Sequence, residues 1–311
     1  MSINSMKRIW LIASILTIIS CICLYVSEIN IKKSIKGDLI FTNITNNINA
    51  IDKVVIKSSD KIITAYNDEN LWRILEADNY YANFNKIHNL LENIASAKIG
   101  KKVEGEIVNQ LQWYSIVIYD HKGNEIAKAE IGKKANSETN YVRLADNNVY
   151  ISTWNTSLAV ELNSWTRQPL LSFSPKEVSK FSANNENIYR YQEGDEFFNS
   201  QNNRQYKHLG YTRIFDILKT LNYEEVLSSQ EFNDTKYSQT TQQTFTTFDG
   251  LVTKLQYFTN GEEYWVKISL STTALPSDKV RDYIKDNSIF YEDWWFRLLP
   301  SDGQSLFTFV F

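Results

Sequence analysis

Three histidines, His88, His121 and His208, are all this chain offers for imidazole chemistry. No two of them stand at an H-x-x-x-H or H-x-H spacing, so solvated side chains rather than metal ligands are expected. Adjacent or near-adjacent carboxylates are more numerous: Glu104 with Glu106, Glu224 with Glu225, Glu262 with Glu263, and Glu292 with Asp293. A glycosidase needs only two carboxyl groups flanking a bond. Most of these pairs fall in predicted turns or strand ends, however, where a solvated surface role is the default. The sequence holds neither a G-x-S-x-G elbow nor a G-x-x-x-x-G-K-[ST] phosphate loop, so any ATP hydrolysis nearby falls to another subunit. No catalytic residue, cofactor or metal site is expected.

The aromatic residues suggest binding instead. Trp154, Trp294 and Trp295 form the candidate binding set, with Trp165 beside them, since indoles stack on sugar rings or grip a partner. A sheet packed against helices would use the same residues as core, and that reading is preferred. Lys98, Lys101 and Lys102, with Lys133 and Lys134, could face anionic lipid or cell wall, but scattered lysines also keep an edge strand soluble. Leu306 to Phe311 reads as a last, aromatic-ended strand. The chain lacks the repeated lipid-facing strands of an outer-membrane barrel.

The elements that must position these residues alternate in short runs. Val54–Ile56, Lys61–Tyr66 and Leu71–Leu75 read as a three-stranded meander. Phe84, Ile87, Leu90, Leu91 and Ile94 then recur at three- and four-residue intervals, the stripe of an amphipathic helix. Strands resume at Ser115–Tyr119, Glu125–Ile131, Tyr141–Leu144 and Val149–Ser152, with a hairpin turn whose Gly123 supplies the positive φ. A constant offset of 127 residues carries Ile87, Leu90, Leu91 and Ile94 onto Ile214, Ile217, Leu218 and Leu221, and Gly123 onto Gly250. That pattern predicts an internal repeat. A helix beginning with Pro276 in its first turn and running to Lys285, then a strand at Trp294–Leu299, completes the chain. The expected class is α+β with mainly antiparallel sheets, because long helical crossovers between alternating strands are missing.

Upstream lies an apolar run, Ile9 to Val26, free of charge. A helix over it spans roughly 27 Å at 1.5 Å per residue, close to the thickness of a bilayer core. Lys7 and Arg8 precede it, and Trp10 and Tyr25 sit near its ends as interfacial aromatics do. An uncleaved signal-anchor is expected, because no A-x-A-like site follows the run. Ile18-Ile19-Ser20-Cys21 loosely resembles a lipobox, which keeps lipidation at Cys21 as an alternative. Lys32, Lys33 and Lys36 leave the charge rule undecided about orientation. The tiny leading tail and the location of both cysteines, Cys21 and Cys23, inside the run favour export of the rest. That part then has no disulfide framework, thiol catalysis or cysteine-bound metal. A net charge of −3 and a pI near 5.8 argue against nucleic acid as partner.

Gly37-Asp38-Leu39-Ile40-Phe41, Leu71-Trp72-Arg73-Ile74, Tyr80-Tyr81-Ala82, Tyr141-Val142-Arg143 and Trp165-Thr166-Arg167 resemble, in order and spacing, the domain-of-unknown-function family 4340. Where members often show Tyr-Pro before the first helix, this chain has Tyr80-Tyr81. The resemblance implies an anchored envelope protein, auxiliary to ABC-type transporters of the gliding-motility kind, with permease and ATPase subunits as partners. The resulting expectation is a cytoplasmic tail at 1–8, a transmembrane anchor at 9–26, a linker at 27–36, and two related α+β units at 37–172 and 173–311. The two units together would form a periplasmic scaffold held at the inner membrane. An envelope glycan-binding or glycan-cleaving module is the alternative.

Overall fold

The computed structural model describes residues 37–45, 48–104, 111–135, 139–156, 158, 160–171, 174–183, 186–199, 210–237 and 239–308. The expected tail, anchor and linker, together with Cys21, Glu106 and His208, lie outside the described residues. Among the described residues no helix is long and apolar enough to cross a membrane. What is described is mostly antiparallel sheet with a few helices.

The chain divides into two compact units. One comprises residues up to Asn67 with Phe84–Val160; the other comprises Asp68–Asn83 with Glu161–Phe311. This division falls at 160/161 where the sequence suggested 172/173. It also assigns a stretch from the middle of the first half to the second unit.

Seven strands make up the first unit: β1 (Ile51–Lys57), β2 (Ile62–Asp68, whose last residue is counted with the other unit), β5 (Ile99–Val103), β6 (Tyr114–Asp120), β7 (Glu125–Lys134), β8 (Asn140–Arg143) and β9 (Val149–Ser152). Their spatial order is β2-β1-β6-β7-β8-β9-β5. Every pairing between neighbours is antiparallel. Alternation buries Val54, Ile56, Ile63, Ala65, Ile116, Ile118, Ala127, Ala129 and Ile131, as a sheet with one dry face requires. The Phe84–Ser96 helix buries Ile87, Leu90, Leu91 and Ile94, four of the five residues of the expected stripe. The fifth, Phe84, is 63% exposed and lies flat on His88 one turn along, with ring centroids 5.9 Å apart.

The second unit repeats this connectivity. Its strands β10 (Val178–Ala183), β11 (Glu186–Tyr189), β12 (Phe198–Asn199), β13 (Tyr223–Ser228), β14 (Gln239–Thr247), β15 (Leu251–Thr259), β16 (Tyr264–Thr272) and β17 (Trp294–Leu298) stand in the order β12-β11-β10-β14-β15-β16-β17-β13. In both units a hairpin is followed by a helix, then by a strand at the far edge. The chain then returns beside the first strand and fills the sheet towards that edge. The Gly210–Lys219 helix holds the place of Phe84–Ser96 and buries Ile214 and Leu218. Gly123 (φ 79°) and Gly250 (φ 98°) turn the equivalent hairpins β6–β7 and β14–β15. The offset of 127 also superposes β1 on β10, placing Val54 on Phe181, both fully buried.

Two expectations near the carboxy terminus are corrected. Pro276 precedes the N-cap instead of lying in the first turn: the Asp278–Asn287 helix is capped by Ser277, whose Oγ accepts the Val280 N–H at 3.2 Å. Leu306 and Phe307 belong to a helix, Pro300–Phe307, and not to a strand. Pro300 opens that helix and Leu306 is fully buried. Gly303 lies so close to Tyr264 that an added Cβ would meet the tyrosine Cβ at 2.3 Å. The glycine and Leu306, three residues apart, therefore share one helical face. The alternating aromatics suggest a strand only if that period is overlooked.

The segment Asp68–Asn83 forms a hairpin of β3 (Leu71–Ile74) and β4 (Tyr80–Tyr81). Arg73 braces it, with Nε 2.7 Å from Asp68 Oδ2, Nη1 donating to the Asn79 carbonyl, and the guanidinium 4.5 Å over the Tyr81 ring. Its tip and second strand are built into the second unit. Asp78 accepts the Ser228 N–H at 2.8 Å, the Arg167 N–H reaches the Tyr81 carbonyl at 2.9 Å, and the Asn83 N–H reaches the Trp165 carbonyl at 2.7 Å. Tyr80 has no exposed surface and touches the rings of Tyr223, Trp294 and Phe296 edge-on or tilted.

Candidate functional site

Antiparallel register on β13, β17 and β16 brings together residues far apart in sequence. Arg297 stands opposite Glu225 on one side and Trp265 on the other; Trp295, two residues earlier and on the same face, stands opposite Leu227 and Lys267. Three carboxylates surround the Arg297 guanidinium. Glu225 Oε2 lies 3.0 Å from Nε, Glu263 Oε1 3.9 Å from Nη1, and Glu224 Oε2 4.0 Å from Nη2. The Nε–Glu225 contact is an ion pair without hydrogen-bond alignment. One of the four carboxylate pairs singled out from sequence, and one member of a second, thus converge here, while Glu262 stays exposed on its turn with its N–H bonded to Asn260 Oδ1.

Glu263 is held most tightly. Its Oε2 accepts the Tyr237 hydroxyl at 2.9 Å and lies 3.3 Å from the Trp265 indole N–H. The Tyr237 hydroxyl is the main reason that the Glu263 carboxyl titrates below the usual carboxylate range. Burial first, and the carboxylate second, push the Tyr237 phenol up to about 12. Acid catalysis by a carboxyl calls for the opposite shift, a group kept protonated near neutrality by a dry surrounding. Glu263 is stabilised as an anion beside a permanent cation, an arrangement that braces three strands.

The loop after β13 covers the rest of this face. Phe232 stacks on Trp295 with centroids 4.0 Å apart and planes 12° apart, and on Tyr237 at 5.3 Å; the Lys267 ammonium lies 5.6 Å from the Trp295 ring centre. Trp295 and Trp294 are each 8% exposed, and Trp154 is fully buried. Trp294 is covered by Tyr80 at 4.9 Å, and Trp154 meets Phe41 edge-on at 6.1 Å. All three tryptophans of the candidate binding set are therefore core side chains with no open ring face for a sugar, and Trp165 is fully buried as well.

The remaining candidates stay apart. His88 lies 3.1 Å from Glu92 on an exposed helix face, and His121 sits in the exposed β6–β7 turn. Glu104 pairs with Lys102 at 3.5 Å in the open, and Glu292 and Asp293 are exposed. Lys101 and Lys102 lie exposed on β5, the edge strand of the first unit, and Lys98 just before it; Lys133 and Lys134 end β7. Among the described residues no group of three or more His, Cys, Asp or Glu is arranged to hold a metal ion.

Arg297 and Tyr237 are the residues that sequence reasoning missed. The alternation Trp294-Trp295-Phe296-Arg297-Leu298 carries a signal, since it places an arginine two residues from a tryptophan on one face. The cross-strand partners depend on register. A family model described as a domain of unknown function, DUF4340, matches residues 72–245, more than half of the chain. No curated protein and no solved structure matches.

Proposed function

This chain belongs to the DUF4340 family, and we propose that it is a non-enzymatic, membrane-anchored scaffold, an auxiliary subunit of an ABC-type envelope transport system. In this reading residues 9–26 anchor it in the inner membrane, and the two sheets, related by duplication, stand in the periplasm. The observation that carries the non-enzymatic part is the Arg297 cluster. The carboxylates that converge there share one guanidinium, and Glu263 is held as an anion by Tyr237, the opposite of the raised carboxyl that a general acid needs. The repeated strand order supports duplication, a usual route to a long surface for partners. Burial of Trp154, Trp294 and Trp295 weighs against the glycan-binding alternative.

Purification of the full chain from detergent-solubilised membranes at native expression tests the reading. Permease and ATPase subunits should co-elute in fixed ratio, and recovery of the chain alone would refute it. Labelling a Ser271→Cys variant in intact cells with a membrane-impermeant thiol reagent checks orientation. Modification is expected, and its absence would place the sheets in the cytosol.

A further inference from the structure

Strand register aligns the two units residue by residue: β1 with β10, β2 with β11, β6 with β14 and β7 with β15. Along these strands the side chains have diverged even in the core, where Phe181 stands at the place of Val54, Phe245 at that of Ile118 and Gln243 at that of Ile116. Only three aligned positions hold the same residue in both units: Lys53 and Lys180, Tyr66 and Tyr189, Lys128 and Lys254. The first pair follows the offset of 127; the other two align only through register, because Tyr66 faces Lys53 as Tyr189 faces Lys180, and Lys128 faces Val117 as Lys254 faces Thr244. All six lie on the outer faces of the sheets, Lys128 and Lys180 exposed and the others half-buried. A fourth position keeps its charge, with Arg143 opposite Glu130 in the first unit and Lys267 opposite Gln256 in the second. Lysine is frequent in this sequence, so one coincidence would mean nothing. A set that survives on an outer face while the core beneath it changes is kept for binding, since packing there asks for no particular side chain.

These residues draw the same diagonal in each sheet. The tyrosine stands across from the first lysine, the second lysine lies two strands over and two residues along, and the third cation one strand and two residues farther. With strands about 4.8 Å apart and a rise of about 3.4 Å per residue, successive Cα atoms of the three cations are roughly 12 and 8 Å apart. Lys128, Lys180 and Lys254 have no ion-pair partner among the described residues. The units differ in what lies between the cations. In the first, Lys53 sits 4.2 Å over the Tyr119 ring, Arg143 is paired with Glu130, and Val55 and Val117 share the row of Lys128. In the second, Ser182, Thr244 and Gln256 take the places of Val55, Val117 and Glu130, and Lys267 donates to Ser229 Oγ at 3.3 Å. The carboxylates beyond Lys267 are those gathered around Arg297. The second face is therefore the more cationic and the richer in hydrogen-bonding groups.

Cations at a fixed spacing match anions at a fixed spacing. A fluid lipid surface is satisfied by lysines placed anywhere near it and demands no common diagonal. An extended acidic polysaccharide offers carboxylates at intervals on the scale of a disaccharide, hydroxyls for the Ser, Thr and Gln side chains between the cations, and a sugar face for the tyrosine ring. A repeating polymer also suits a chain that presents the same arrangement twice. We infer that the outer face of the second sheet, along Tyr189, Lys180, Lys254 and Lys267, binds a linear acidic polysaccharide, and that the matching face of the first sheet binds it more weakly. The inference uses none of the buried tryptophans and stands apart from the proposed scaffold role.

Calorimetric titration of the full chain in a neutral detergent tests it. The probe is hexagalacturonate, compared with neutral cellohexaose, with poly-glutamate and with dioctanoyl phosphatidylglycerol. Saturable binding of hexagalacturonate is expected that weakens with salt. Lys180→Gln and Lys254→Gln should each weaken it about three- to fivefold, the scale of one exposed ion pair, and Lys254→Arg should restore it. Lys53→Gln and Lys128→Gln should weaken it by less than about twofold. Lys219→Gln controls for net charge: it lies on the helix whose Phe215 packs on Phe181 and Phe245, against the opposite face of the sheet, and should change nothing. The inference is overturned by no saturable uronate binding at millimolar concentration, by equal affinity for cellohexaose, by tighter binding of poly-glutamate or of the lipid, or by equal weakening in Lys219→Gln.

Discussion

Replacing Tyr80 by alanine should loosen the second unit although the residue lies in the first third of the sequence. The ring is fully buried and touches Tyr81, Tyr223, Trp294 and Phe296, and its hydroxyl donates to the Phe290 carbonyl at 3.2 Å. Removing a buried aromatic ring costs about 3–5 kcal/mol, from lost transfer energy plus the cavity left behind. Tyr80→Phe keeps the ring and removes only the hydroxyl, so it should cost about 1 kcal/mol, with the Phe290 carbonyl left unpartnered. Local opening reads these values unit by unit, which a single melting temperature of a two-unit chain does not. At about 1.4 kcal/mol per tenfold, Tyr80→Ala should speed amide exchange in β13 and β17 by about a hundred- to a thousandfold or more, and Tyr80→Phe by about fivefold. Exchange in β6 and β7 should stay near the wild-type rate. Equal acceleration in both sheets, or acceleration confined to β6 and β7, would refute the assignment of the Asp68–Asn83 hairpin to the second unit.

Glu263→Gln removes the carboxylate beside Tyr237. The phenol should then titrate below its value of about 12, though above an ordinary tyrosine because burial is the larger cause; ultraviolet titration reads the change, and an unmoved phenol contradicts the hydrogen bond. The Glu263 carboxyl is depressed in the folded protein, so its stabilising contribution is complete above the unfolded carboxylate pKa and fades as pH falls through the lower folded value. Wild type should therefore lose more stability than Glu263→Gln between neutral and acid pH in urea titrations, and parallel curves would remove the Tyr237 hydrogen bond as a stabiliser of the carboxylate. Gly250→Ala should destabilise more than Gly123→Ala. Both carry positive φ, worth about 1–2 kcal/mol for a residue with a Cβ, but only at Gly250 would that Cβ meet Thr273 Oγ1 at 2.6 Å and the Pro276 Cα at 2.9 Å. Equal midpoints in urea would show that the β14–β15 turn yields.

What the sequence made legible is what local periodicity controls. The stripe Ile87, Leu90, Leu91 and Ile94 shares helical spacing with Ile214 and Leu218, and the hairpin glycines stand at the same offset, so the sequence itself carries the repeat that the corresponding strand orders display. What stayed hidden depends on pairings closed over long loops. The strand expected at Leu71–Leu75 forms as Leu71–Ile74, but nothing local to it reports that its hairpin partner Tyr80–Tyr81 is fixed by Asp78 reaching the Ser228 N–H and by an aromatic pocket of Tyr223, Trp294 and Phe296. The carboxylate pairs show the same limit in reverse. Glu224-Glu225 and Glu262-Glu263 look like adjacent acids in two turns until the β13–β17–β16 register sets Arg297 between them. A sequence reports the spacing of charges along one strand, whereas their chemistry follows from the strand beside it. Glu225 and Glu263, which the sequence places in separate acidic pairs, are for that reason partners of one arginine in the fold.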